Sequence, residues 1–383
     1  MLNSILRSHR ANQFAAAASF LFVLYCGAFA QSVTPSTEDD ETASHIIAPV
    51  PVYFTRDDKK PEDTSRPARI KRWFEFENFA VSFRYRYTRN GLGTTTNAVQ
   101  YQFGSRARFK FDKKGRYSVV ASLNSGNSFL GGWNNTGWGT GDVQTNLYLK
   151  QLYFVAKPIK SLEFQIGGLG VNNGENTEVT GYDNDAYITG ERIIIRNPKK
   201  LYFDEISLTN AHLGDLNRPS VFRRFDNLAK SNYHQFLFRK QVNKRVAFSA
   251  DYTFDSGSDT LRQAVKIKAP ETRVVDMVGF ENYQRLDGPG RYGFNLFGEK
   301  KIGKKFTLTG GFARIDGRLL NGDRYPQGNL LHAQGVYRLT PEFSFSSVII
   351  QGVGPMLPNL SRTRFELIFT YNILETLRRH KLQ

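Results

Sequence analysis

Two successive segments of this chain alternate apolar and polar residues, and that pattern restricts the fold more than any other feature. Phe79, Val81, Phe83, Tyr85 and Tyr87 share one parity, while Ser82, Arg84, Arg86 and Thr88 take the other. After Asn90-Gly91 the pattern returns, with Val99, Tyr101, Phe103, Phe109 and Phe111 set against Gln100, Gln102, Arg106, Arg108 and Lys110. Successive side chains of a strand point to opposite faces, so each segment carries one apolar and one charged face. A soluble sandwich would bury the apolar face. A transmembrane barrel would turn it to lipid and line a wet lumen with the charged one.

The N-terminal residues carry an export address. Arg7 and Arg10 precede an apolar run from Ala15 to Tyr25, and Ala28-Phe29-Ala30 matches a small-x-small cleavage site. Residues 1–30 are therefore expected to be a signal peptide, with the mature chain starting near Gln31. The run is shorter than the ~20 apolar residues of a membrane-spanning helix. Cys26 is the only cysteine, and the Tyr25 before it is too large for a lipoprotein site. Cleavage would leave no disulfide and no Cys-metal chemistry.

Aromatic residues make up 14% of the 383 residues, with 31 Phe and 18 Tyr, yet the mean hydropathy is −0.44. A barrel reconciles the two, because lipid-facing and lumen-facing residues interleave one for one. The net charge of +17 falls to +15 without Arg7 and Arg10. Such a charge fits nucleic acid, an acidic surface or an anion-conducting interior. Export, and the lack of an RNP, zinc-finger or helix-turn-helix pattern, argue against nucleic acid.

Residues 31–73 are rich in Pro, Ser, Thr and acids, including Glu38-Asp39-Asp40-Glu41, and read as a disordered periplasmic leader. Residues 74–373 are nearly all strand and turn, and 374–383 form a short tail. The expected fold is all-β, an antiparallel up-and-down transmembrane barrel of about 16 strands, give or take two. Short connections at Asp112–Gly115, Lys157–Lys160, Asn243-Lys244 and Gly303-Lys304 suit the periplasmic side. Long ones at 124–144, 171–190, 214–231 and 317–329 suit extracellular loops or inward-folded constrictions.

No catalytic or metal constellation stands out, so neither an enzyme nor a cofactor is expected. His212 lies near Asp215, whereas His234 and His332 fall on strands without a Ser or Asp at catalytic spacing. Gly167-Gly168-Leu169-Gly170 opens no helix and reads as strand glycine rather than a phosphate loop. Phe129, Trp133, Asn134, Asn135 and Trp138 lie in the first long loop, either as a sugar platform or as an ordinary interfacial loop.

Cations are the informative chemical group. Arg84, Arg86, Arg106, Arg108, Lys110, Arg262, Lys266, Lys268, Arg362 and Arg364 all take the parity opposite the apolar face. Closing the barrel would bring Arg362 and Arg364 beside Arg84 and Arg86. A basic band in a low-dielectric pore concentrates anions. The competing reading is a ladder of salt bridges to Glu163, Asp251, Glu299 and Glu366; the two readings are compatible.

The export signal, leader and alternating strands resemble those of a Gram-negative outer-membrane porin. The runs Phe83-Arg84-Tyr85-Arg86-Tyr87 and Ser105-Arg106-Ala107-Arg108-Phe109 loosely resemble the alginate-export-type porins. The resemblance implies residence in the cell outer membrane and contact with its lipid and lipopolysaccharide. It also implies insertion by the barrel assembly machinery and passive diffusion of anionic solutes such as uronates or other acidic sugars. A barrel-embedded hydrolase and a non-conducting structural or adhesive protein are the alternatives. One departure is the tail. Phe369, Tyr371 and Ile373 alternate as a terminal barrel strand should, but the chain continues from Leu374 to Gln383.

Overall fold

A computed structural model describes residues 73–127, 132–133, 135–140, 147–182, 186–196, 202–213, 219–228, 230–269, 274–287, 291–316, 325–354 and 361–380. The expected signal peptide and nearly all of the leader lie outside these residues, as do Phe129 and Asn134.

The described residues form sixteen strands: β1 (Phe74–Asn90), β2 (Thr95–Lys110), β3 (Tyr117–Asn124), β4 (Tyr148–Ile159), β5 (Leu162–Gly170), β6 (Tyr187–Arg196), β7 (Glu205–His212), β8 (Tyr233–Gln241), β9 (Val246–Asp255), β10 (Ser258–Lys268), β11 (Met277–Arg285), β12 (Tyr292–Ile302), β13 (Phe306–Ile315), β14 (Gly328–Arg338), β15 (Phe343–Val353) and β16 (Ser361–Asn372). Each pairs antiparallel with its sequence neighbours, and β16 closes on β1 to make a complete barrel. Closure leaves no unpaired strand edge, which a lipid environment requires. Among the described residues, no helix is long and apolar enough to cross a membrane.

The two faces follow the sequence alternation. Phe83, Tyr85, Phe109, Phe154, Ile166, Leu208, Phe236, Leu296, Leu331 and Phe369 are exposed on the outer wall. Tyr101, Phe248, Phe294 and Leu367 share that outward parity and are half-buried among neighbouring side chains. Ser82, Arg84, Gln100, Gln102, Ser249, Asp251, Thr253, Arg262, Glu281 and Glu366 are buried on the inner wall. Apolar side chains outside and polar ones inside invert the arrangement of a soluble sandwich, so the fold is a transmembrane barrel.

Strand alternation sorts the connections by end. The turns β2–β3, β4–β5, β8–β9, β12–β13 and β14–β15 share one mouth, and β3–β4, β5–β6, β7–β8 and β13–β14 share the other. All four short connections expected from sequence fall at the first mouth, and all four long ones at the second. We call these the turn mouth and the loop mouth.

Three local features depart from plain strand and turn. A bulge at Glu77 shifts the β1–β2 register between Phe76 and Asn78. It sends both Glu77 and Asn78 inward, so the parity read from Phe79 onward does not extend to the start of β1. Between β7 and β8, a 3-10 turn at Val221–Asn227 lies against the outer wall. Phe225 and Leu228 line a groove there with Leu152, Phe154 and Ile166, and Gly168 leaves room for Val221. Finally, β16 ends one residue before the expected Ile373, which instead opens a short helix, α1 (Ile373–Arg379). The Asn372 side chain caps α1 by accepting from the Glu375 N–H, Leu374 is buried, and Arg379 pairs with Glu342 of the β14–β15 turn.

Candidate functional site: a charge-laddered lumen

At the seam between β1 and β16, Arg84 donates from Nε and Nη2 to Gln100 Oε1 at 3.1 and 2.7 Å. Its Nη1 lies 3.1 Å from Glu366 Oε1, and Arg364 approaches the same oxygen at 2.7 Å. Barrel closure thus does bring Arg364 beside Arg84, with a carboxylate between them. Trp133 folds down from the β3–β4 loop. Its carbonyl accepts from Gln100 Nε2 at 2.8 Å, and its ring lies under the Arg84 guanidinium at 4.3 Å. This is a cation–π contact on an already paired arginine. Trp138 instead continues the strand pairing beyond β3, bonding the Val99 backbone at 2.8 and 3.0 Å.

Nearer the turn mouth, Glu77 lies 2.6 Å from Arg106 and also pairs with Arg108, while Lys110 reaches Glu75 at 2.7 Å. Arg106 donates to Tyr153 Oη at 2.6 Å, and Arg108 to Ser118 Oγ at 2.9 Å.

Across the lumen, the β5–β6 loop folds inward and binds the wall made by β8–β11. Val179 of the loop packs in an apolar cluster with Tyr283, Leu330, Val348 and Ile350, and polar contacts fix the rest. The Glu175 N–H donates to Ser249 Oγ at 2.8 Å, and Gln235 Nε2 donates to the Asn172 carbonyl at 2.7 Å. Glu281 accepts from the Thr177 N–H, Thr177 Oγ1 and Thr180 Oγ1 at 2.9, 2.9 and 2.8 Å. Glu175 pairs with Lys266 at 3.3 Å and with Arg239 at 2.5 Å. Burial pushes the Glu175 carboxyl up, but Lys266 and Arg239 outweigh it and hold the group below its ordinary value. Arg262 pairs with Asp251 at 3.0 Å and lies 4.7 Å over the Tyr182 ring of the loop. This loop narrows the lumen.

The ten cations singled out in the sequence therefore divide. Arg84, Arg106, Arg108, Lys110, Arg262, Lys266 and Arg364 are inward and ion-paired. Arg86 is half-buried on the inner wall, in register with Glu366. Lys268 and Arg362 sit exposed at opposite mouths, at the end of β10 and the start of β16. The salt-bridge ladder is present, with Asp251 and Glu366 as rungs. Glu163 is also a rung, but for Lys157 and Arg196. Glu299 is buried without a salt bridge among the described residues. Sequence reading missed Glu75, Glu77, Glu175, Arg192, Arg196 and Arg239. The arginines on β6 were legible, since Arg192 and Ile194 alternate with Ile193 and Ile195.

The histidines scatter. His332 Nε2 lies 2.8 Å from Asn295 Oδ1 inside the barrel. His234 Nε2 lies 3.4 Å from Ser231 Oγ on the outer wall, but that hydroxyl donates to Asn210 Oδ1 and to the Ala211 carbonyl. Among the described residues no carboxylate holds His234, and no group of three or more His, Cys, Asp or Glu has the spacing of a metal site.

No protein-family model matches the chain, and no curated protein matches it in sequence. The alginate-export resemblance is therefore without support. Solved structures do match in fold. Two triple mutants of the Rhodopseudomonas blastica porin superpose with a TM-score of 0.50 at 12% and 13% identity, covering 78% of this chain and 99% of theirs. A double mutant of that porin gives 0.51 at 11% identity with the same coverage. At such identities the likeness establishes a porin-type barrel architecture.

Proposed function

We propose that the protein is a porin-like channel of the Gram-negative outer membrane, through which small solutes, preferentially anions, diffuse passively. The observation that carries this reading is the polar inner wall narrowed by an inward loop. A barrel held by buried salt bridges and hydrogen bonds inside, and by apolar side chains outside, is built to surround water. The porin-type architecture supports the same reading.

On this reading the aromatic outer wall contacts outer-membrane lipid and lipopolysaccharide, and the barrel assembly machinery inserts the chain after cleavage near Ala30. Lysines and arginines exceed acids in the whole chain, 52 to 35, which favours anionic solutes, acidic sugars such as uronates among them. The paired lumen arginines act chiefly as wall struts that keep the lumen polar.

Planar-bilayer recording under a salt gradient tests this. The expected result is stable single-channel conductance with a reversal potential displaced toward the anion. A barrel that inserts and passes no current is a structural protein, and a cation-preferring one removes the anion reading.

A further inference from the structure

The paired lumen leaves open where an anion preference would arise, and the two mouths answer differently. At the turn mouth, Lys113 and Lys114 lie in the β2–β3 turn, Lys160 in β4–β5, Lys244 in β8–β9, and Lys301 and Lys304 at β12–β13. All six are exposed, and none is within salt-bridge distance of an acid among the described residues. Their turns are spread around the circumference, so the lysines form a ring rather than a patch.

Most described acids at this mouth do not offset them, because other cations already hold those acids; Glu299, buried near the end of β12 without a salt bridge, is the exception. Asp112 pairs with Arg116 at 3.2 Å, Asp276 with Lys300 at 2.8 Å, Asp204 with Lys240 at 3.6 Å, and Glu342 with Arg379. Among the described residues the loop mouth is mixed, with exposed Arg89, Lys230 and Arg362 set against Asp255 and Asp259. There Asp287 takes both Arg285 and Arg291, Asp316 takes Arg314, and Asp226 is exposed beside Arg223 on the 3-10 turn.

We propose that the turn mouth is an anion-collecting vestibule, and that its lysine ring makes the channel pass anions more readily inward from that mouth than from the loop mouth. This rests on the channel reading and adds a direction to it. A rim of like charge above a low-dielectric wall raises the local anion concentration. At ~0.1 M salt the Debye length is ~10 Å, so charges on neighbouring turns overlap across part of the opening. Voltage of one sign drives the enriched anions into the pore, and the opposite sign draws from a mouth of mixed charge. Exposed ammonium groups on flexible stems are hydrated point charges, so they collect carboxylates and phosphates alike rather than select one by bidentate geometry.

The test is single-channel recording of the full-length mature protein, inserted from one side so that its orientation is uniform, in potassium chloride at ~0.1 M. The current should be roughly twofold larger when anions are driven in from the turn mouth. It should become symmetric at ~1 M, where the Debye length is ~3 Å. Replacing Lys113, Lys114, Lys160, Lys244, Lys301 and Lys304 together with Gln should bring the ratio to about one, while Arg89→Gln with Lys230→Gln at the loop mouth should leave it unchanged. A conducting wild type with symmetric current overturns this inference and spares the channel. Asymmetry that survives the six lysine replacements also overturns it. A barrel that passes no current overturns both.

Discussion

Arg84 and Glu366 meet 3.1 Å apart across the seam that joins the first strand to the last, with side chains 5% and 0% exposed. Ladder pairing alone would close the barrel. This ion pair adds a charge match specific to one register, because a shift of one residue would send either partner to the lipid face. Glu366 also holds Arg364, so one carboxylate compensates two guanidiniums.

Replacing Glu366 with Gln should therefore destabilise the barrel by about 3–5 kcal/mol, the usual cost of stranding a buried charge. Urea unfolding from lipid vesicles measures it. Adding Arg84→Gln should recover part of the loss, because the stranded charge goes with it. Strictly additive losses in the two single variants would show that the residues are not coupled.

The outer wall yields a second expectation. Phe83 and Phe369 face each other in the β1–β16 ladder, and both are exposed. Arg at either position near the bilayer midplane should cost about 2–4 kcal/mol. Phe83→Leu should cost less than ~1.5 kcal/mol. The same vesicle unfolding reads both, and a tolerated Phe369→Arg would place that position outside the hydrocarbon.

The barrel itself was legible because period-two alternation reports two faces directly, and because turn and loop lengths report two ends. What the alternation could not report was register against non-strand elements. Glu77 was missed because the bulge reverses parity there, and no single-chain pattern marks a bulge without glycine. Glu175 was missed because its partners Lys266 and Arg239 lie on strands far along the chain, and a polar loop has no periodicity to show which way it folds. The α1 cap was readable: Asn372 followed by Glu375 is a helix-start signal. Alternation does give the parity of an arginine, but not whether an acid stands opposite. Hence a basic lumen and a salt-bridge ladder looked alike until the strands were paired.

Gly168 supplies a third prediction. A Cβ at this position would sit 2.3 Å from Val221 Cγ2, which is fully buried beneath the 3-10 turn. Gly168→Ala should push Val221–Asn227 off the outer wall at a cost of about 1–3 kcal/mol. Limited proteolysis between 219 and 228 should speed up while the barrel stays folded. Gly310→Ala, where the nearest atom to a new Cβ is a carbonyl oxygen at 3.6 Å, is the control and should leave proteolysis unchanged.

The inward loop provides the last prediction, on pH. Lys266 and Arg239 hold the Glu175 carboxyl below its ordinary value of 4.5 against the opposing effect of burial. A depressed folded-state pKa means that the contribution to docking is complete above the ordinary value and is lost as pH falls through the lowered one. Below about pH 4.5 conductance should therefore become larger and noisier as protonated Glu175 releases its two partners and the loop loosens. Glu175→Gln should show the loosened behaviour already at pH 7 and lose most of the acid step. Glu281 anchors the same loop through Thr177 and Thr180, so Glu281→Gln should weaken docking at pH 7 while keeping the Glu175 step. A step centred above pH 4.5, or one that persists in Glu175→Gln, would assign the titration to another carboxylate of the lumen.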